Sequence, residues 1–240
     1  MTHVGILAHS PDGSALCYLE FIRLGHRRFG GYGNADVTMD YVPLGRSMRA
    51  WESGDYAHVR AVLATGVERL KRAGCDFFLC PDNTAHLALE TGVANLALPG
   101  LHIAEVVAEE AKARGFRNVA VLGTRFTMAG PVYPRALSAR GVATTTPEPE
   151  ERDAIDRIIF AELCDGVVTE ASRAVFLSVI ARMQRAGCDA VALACTEISL
   201  IVTPENSSLP VLDSTRGLAK AAFEVSLGER DFPTWRGGAL

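Results

Sequence analysis

Arg72-Ala73-Gly74-Cys75-Asp76 recurs without change as Arg185-Ala186-Gly187-Cys188-Asp189, 113 residues later. Two further blocks repeat in the same order at nearly the same offset. Val4-Gly5-Ile6-Leu7 is echoed by Val119-Ala120-Val121-Leu122 at 115 residues, and Leu98-Pro99-Gly100-Leu101 by Leu209-Pro210-Val211-Leu212 at 111. Each match alone is weak, because apolar strands resemble one another by chance. Their shared order and near-constant offset predict a chain of two halves built on one plan. The competing explanation is helix-to-strand punctuation of a kind that any α/β chain can repeat.

Around these blocks, short runs rich in β-branched residues alternate with longer amphipathic stretches, the pattern of βα units feeding a parallel sheet. Strands are expected at 4–8, 37–42, 75–80, 100–103, 119–123, 190–194 and 210–212. Helices are expected at 56–73, 103–114, 150–163, 170–186 and 214–226. The fold class is therefore α/β: two pseudo-symmetric domains with central parallel sheets and an active site in the cleft between them. One half comprises 1–102 with 213–240, the other 103–212. The tail from Asp231 to Leu240 is expected to be loose.

Composition excludes several classes. Hydrophobic residues make up 48% of the 240 and charged residues 22%, as in ordinary globular proteins, and no stretch approaches a membrane span. Met1-Thr2-His3 runs straight into a strand pattern without a signal-peptide signature, which predicts a cytoplasmic protein. A net charge of −4 with dispersed Lys and Arg offers no basic stripe for nucleic acid. The six cysteines, 17, 75, 80, 164, 188 and 195, lack CxxC spacing or clustered histidines, so neither a metal site nor a disulfide scaffold is indicated. No glycine-rich nucleotide motif is present.

Ligands of open α/β sheets bind beyond the carboxyl ends of the strands. Asp82 lies six residues past Asp76, and Cys195 six past Asp189, so the two occupy equivalent strand ends and are expected to face each other. Asn83-Thr84 and Thr196-Glu197 follow them, where amides at a helix start can bind a carboxylate. Two acid/base groups on opposite faces of one carbon are what racemisation requires: one removes the α-proton and the other delivers a proton from the far side. A thiol serves as the base if its thiolate is favoured by backbone dipoles and neighbouring cations.

At these residues the chain resembles the aspartate/glutamate racemase family, which works without pyridoxal phosphate. The resemblance rests on Asn83-Thr84-Ala85-His86, Leu101-His102-Ile103-Ala104, Val121-Leu122-Gly123-Thr124-Arg125, Glu170-Ala171-Ser172-Arg173 and Cys195-Thr196-Glu197-Ile198. It implies a cofactor-independent, metal-free isomerase acting on a small amino-acid or carboxylic-acid substrate, and a homodimer. Cys195 matches the second catalytic cysteine of the family. Asn83, Thr84, Thr124, Thr196 and Glu197 match substrate-binding and supporting positions, with Ser10 in the loop after the first strand. The chain departs from the pattern where a cysteine should precede Asn-Thr: that position is Asp82, with Cys80 two residues earlier. Ala8-His9-Ser10 stands where many members have Gly-Gly-Met, and Cys164 lies near the place of a lysine often found in a later helix. Arg46 or Arg49 is the expected cation for a distal substrate carboxylate.

These departures leave three roles for Asp82: a second acid/base, a ligand for the substrate's amino group, or an Asx turn capping the next helix. They also leave two other functions open. One is single-thiol chemistry of the kind the arylmalonate decarboxylase branch of the superfold performs, and the other is a catalytically idle small-molecule binder. His86 is expected to be structural, while His9 and His102 are site neighbours without an assigned role.

Overall fold

A computed structural model describes every residue except Tyr32 and Val93. In chain order its elements are β1 (Val4–Ala8), α1 (Pro11–Phe29), β2 (Val37–Tyr41), a 3-10 turn (Leu44–Arg46), α2 (Met48–Ser53), α3 (Tyr56–Arg72), β3 (Phe77–Leu79), α4 (Ala85–Leu89), β4 (Gly100–Leu101) and α5 (Ile103–Ala113). Then come β5 (Asn118–Gly123), α6 (Arg125–Ala129), α7 (Val132–Ser138), β6 (Ala143–Thr145), α8 (Pro149–Ala161), a 3-10 turn (Leu163–Asp165), α9 (Glu170–Arg185), β7 (Ala190–Ala194), a 3-10 turn (Thr196–Leu200), β8 (Val211–Asp213) and α10 (Ser214–Leu227).

The chain divides into two compact units, Met1–Ile103 with Thr215–Leu240, and Ala104–Ser214. Each carries a parallel four-stranded sheet. The orders are β2-β1-β3-β4 and β6-β5-β7-β8, the same arrangement twice, which is the α/β architecture expected from the repeats.

The repeated five-residue block shows why it recurs. Gly74 and Gly187 take φ of 87° and 93°, a left-handed conformation open to glycine, and end α3 and α9. The next amides reach back five residues, Cys75 N to Leu70 O and Cys188 N to Met183 O, each 3.1 Å, as in a Schellman stop. The aspartates then fasten the neighbouring strand. Asp76 Oδ2 accepts from His3 N at 2.7 Å, just ahead of β1, and Asp189 accepts from the amides of Arg117 (2.9 Å) and Asn118 (3.0 Å) at the head of β5. One pentapeptide thus stops a helix, turns the chain and sets strand register in both units.

β1, β3 and β7 are buried along their whole length, as strands covered on both faces must be. β6 was not expected from the sequence. Its Ala-Thr-Thr is partly exposed and lies at a sheet edge, held by pairing with 118–120 and not by local apolar pattern.

The C-terminal tail corrects an expectation, because it is docked on the first unit. Gly100 N donates to Trp235 O at 2.7 Å, Leu96 N to Arg236 O at 2.8 Å, and Gly238 N to Leu89 O at 3.0 Å. The Phe232 ring meets Phe77 edge-on at 5.7 Å, and Trp235 packs on Phe78, His86 and His102. No helix among the described residues is long and apolar enough to cross a membrane.

Candidate active site

In the second unit, β7 delivers Cys195 at its carboxyl end. Cys195 has extended backbone (φ −152°, ψ 132°) and leads into the 3-10 turn at Thr196. It is the most exposed member of an apolar cluster that includes Leu122, Met128, Ile159, Leu163, Phe176 and Ile198, at 9% exposure. Its Sγ donates to Glu197 Oε2 at 2.9 Å. Burial pushes the thiol well above its ordinary range. The Glu197 charge and the side-chain bond add to this, and a hydrogen bond from the Glu197 backbone partly offsets them. These effects favour the protonated thiol over the thiolate. The resting group is a protonated thiol whose hydrogen points at a buried carboxylate.

The neighbouring strand end approaches β7 too closely for any side chain. Gly123 of β5 pairs with Ala194, and a Cβ at Gly123 would lie 2.7 Å from the Ala194 carbonyl oxygen. Thr124 follows in extended conformation and caps α6, its Oγ1 accepting from Thr127 N at 3.3 Å. Two groups that the sequence did not single out lie near Cys195. Tyr133 is fully buried and shares a hydrogen bond with Ser214, and burial holds its phenol well above the ordinary range. Ser214 Oγ donates to Leu193 O at 2.7 Å, fixing β7 two residues before the thiol. Tyr133 sits in an apolar helix stretch, where no local signal separates it from core.

In the first unit, β3 ends at Leu79. Cys80 follows as a fully buried thiol, raised well above its ordinary range by burial and then by the Asp82 charge. Asp82 is half-buried, and its Oδ1 accepts from Ala85 N, three residues on, at 3.1 Å, the geometry of a helix-capping bond at the start of α4. Asn83 is buried and Thr84 half-buried. His86 locks the turn from behind. Its Nδ1 meets the Asp82 carbonyl at 2.9 Å, and its Nε2 accepts from Ile103 N at 3.3 Å. Because Nε2 is an acceptor, Nδ1 carries the proton, which fixes the tautomer. His102 Nε2 meets Glu90 Oε1 at 2.8 Å.

Ser10 is the N-cap of α1, its Oγ accepting from Gly13 N at 3.2 Å. Arg46 and Arg49 are exposed and share no hydrogen bond or ion pair with Ser10, Asp82 or Asn83. Whereas Arg69, Arg135, Arg140 and Arg182 are tied to carboxylates, these two make no ion pair among the described residues. The expected site residues therefore form two clusters, Cys195-Glu197 with Thr196 and Thr124 nearby in sequence or strand order, and Asp82-Asn83-Thr84 with His86.

Two sheets of like order thus each present polar groups at the equivalent strand end, a buried thiol against a carboxylate in the second unit and a capping aspartate in the first. The Asp/Glu/hydantoin racemase model matches residues 6–222, and the chain belongs to that family and is thus an isomerase of the racemase kind. It is 25% identical over 173 residues to RacX of Bacillus subtilis (strain 168), a broad specificity amino-acid racemase, covering 72% of this chain and 74% of that protein. Among solved structures it is similar to a conjectured Asp/Glu racemase from Yersinia pestis, with 29% identity, TM-score 0.84, and coverage of 95% of this chain and 100% of that one. It is also similar to PH1733, an aspartate racemase homologue from Pyrococcus horikoshii OT3, with 25% identity, TM-score 0.80, and coverage of 95% and 100%.

Proposed function

We propose that the protein is a cofactor-independent amino-acid racemase in which Cys195 is one acid/base and Asp82 the other. The observation that carries this reading is the Sγ to Oε2 contact of 2.9 Å between Cys195 and Glu197, a thiol whose proton has an acceptor in place. Passing that proton to Glu197 leaves a thiolate that can take the α-hydrogen of a bound amino acid. The resulting carbanion is protonated on its opposite face by Asp82 in its carboxylic-acid form, and the enantiomer is released. The proton held by Glu197 is lost to solvent as Asp82 takes one up, which resets the pair. The reverse reaction exchanges the two roles. Asn83, Thr84, Thr124 and Thr196 bind the α-carboxylate, Ser10 supports the first-unit side, and Arg46 or Arg49 takes a distal carboxylate. Aspartate, glutamate or a related amino acid fits this set. The working form is a cytoplasmic homodimer, a state that sedimentation of the purified protein checks.

In deuterated water the enzyme should wash the α-hydrogen out of its substrate, in a screen of the common amino acids by mass spectrometry and chiral chromatography. Cys195→Ala should abolish that exchange, and exchange surviving in the variant refutes the assignment. Full activity in Asp82→Asn would end the acid/base role of Asp82. The bond from Ala85 N to Asp82 Oδ1 favours a second reading, in which Asp82 is only a cap and Cys195 alone protonates a carbanion left by departing carbon dioxide. Carbon dioxide release from a malonate-type acid, without α-hydrogen exchange, would select it.

A further inference from the structure

His9 follows β1, the strand flanked by β2 and β3 in the first unit, and immediately precedes the cap of α1. Its Nδ1 lies 2.8 Å from the carbonyl oxygen of Val42, just past β2. A carbonyl only accepts, so Nδ1 carries a ring proton, and with that tautomer Nε2 is the ring's acceptor. That nitrogen is buried, in a residue 1% exposed, and has no hydrogen-bond partner among the described residues. A buried acceptor without a donor is unfavourable, and one at a strand's carboxyl end, where ligands of such sheets bind, is placed to take a donor from a ligand.

The surroundings indicate which ligand. Arg46 and Arg49 stand four and seven residues beyond Val42, exposed and without an ion pair among the described residues. The same end of the sheet thus offers cations for carboxylates and a neutral acceptor for a donor. An amino acid brings both kinds of group, whereas a malonate-type diacid brings carboxylates alone. We propose that His9 Nε2 accepts a hydrogen bond from the α-ammonium group of the substrate, so that the first unit selects ammonium-bearing acids over their desamino counterparts. This inference rests on the racemase reading and names the substrate group that His9 reads.

Two substitutions separate this role from support of Val42. The side-chain nitrogen of His9→Asn sits at the δ position and keeps the Val42 bond but offers nothing at the ε position. His9→Gln places an amide oxygen at the ε position. The probes are L-aspartate, or whichever common amino acid the wild type exchanges fastest, and its desamino acid, succinate for aspartate, as a competitive inhibitor. His9→Asn should raise KM for the amino acid by about 10- to 100-fold, the loss expected for a hydrogen bond to a charged group, without raising Ki for the desamino acid. His9→Gln should stay within about threefold of wild type, since it retains the acceptor. An unchanged KM in His9→Asn, or KM and Ki rising together, overturns the assignment. A measurement on the unaltered protein guards against a variant that fails to fold. The 15N resonance of His9 Nε2 should shift on adding the amino acid and stay in place on adding the desamino acid, and an unmoved resonance with both is an equal refutation. If the wild type exchanges no α-hydrogen with any amino acid, the racemase reading falls and this inference with it. Exchange with a wild-type KM in His9→Asn removes only the inference.

Discussion

Lowering the pH from 7 to 4 should destabilise the first unit through His86. The ring is fully buried, stacked on Trp235 at 5.9 Å and edge-on to His102 at 4.5 Å. Its Nε2 already accepts the Ile103 amide, so a second ring proton would face a donor. Burial first, and repulsion from His102 next, hold its pKa down from 6.5 to about 3. The unfolded chain takes up a proton below 6.5 while the folded chain refuses it until about 3. The unfolded state therefore binds more protons across that window, and stability falls as pH falls through it. Each pH unit in the window removes about 1.4 kcal/mol, so pH 4 costs about 3 kcal/mol relative to neutrality. Trp51 and Trp235 are the two tryptophans of the chain and both belong to the first unit, so urea unfolding followed by tryptophan fluorescence reports on that unit. Comparing wild type with His86→Gln cancels the acid titration common to both. The stability difference between them should change by about 3 kcal/mol between pH 7 and pH 4 in favour of the variant. Parallel pH profiles would show that His86 takes its proton without cost and would refute the reasoning.

Two further outcomes test the thiol cluster. Glu197→Gln removes the charge that helps raise the Cys195 thiol and leaves only a neutral amide oxygen as acceptor, so alkylation of Cys195 by iodoacetamide at fixed pH should quicken by about 3- to 10-fold, while α-hydrogen exchange slows. Peptide mapping distinguishes Cys195 from the exposed Cys164, and slower or unchanged alkylation contradicts the electrostatic account. Gly123→Ala places a Cβ 2.7 Å from the Ala194 carbonyl oxygen and 3.2 Å from the Thr127 side chain, so it should cost about 1–3 kcal/mol of stability and lower kcat by displacing the strand end that carries Cys195. A variant with unaltered thermal unfolding and kcat would show that the strands there have room to spare.

What the sequence by itself determined is what short-range chemistry controls. The α/β class was legible because runs such as Val4–Ala8 and Ala190–Ala194 carry their burial in their composition, and the twice-used Arg-Ala-Gly-Cys-Asp carries its helix stop in one glycine and its strand anchor in one aspartate. Cys195 and Glu197 were legible as candidates because they stand together at a strand end. The state of that thiol was decided by the fold, since apolar neighbours from several elements and the direction of the Glu197 carboxylate keep it protonated. So was the place of the tail, whose Phe232 and Trp235 find partners at Phe77, Phe78, His86 and His102, more than 130 residues away in the chain. The open nitrogen of His9 depends likewise on a carbonyl 33 residues distant. Backbone propensity and strand composition act over a few residues and can be read in order. Desolvation and hydrogen-bond completion depend on which distant groups tertiary packing brings to one place.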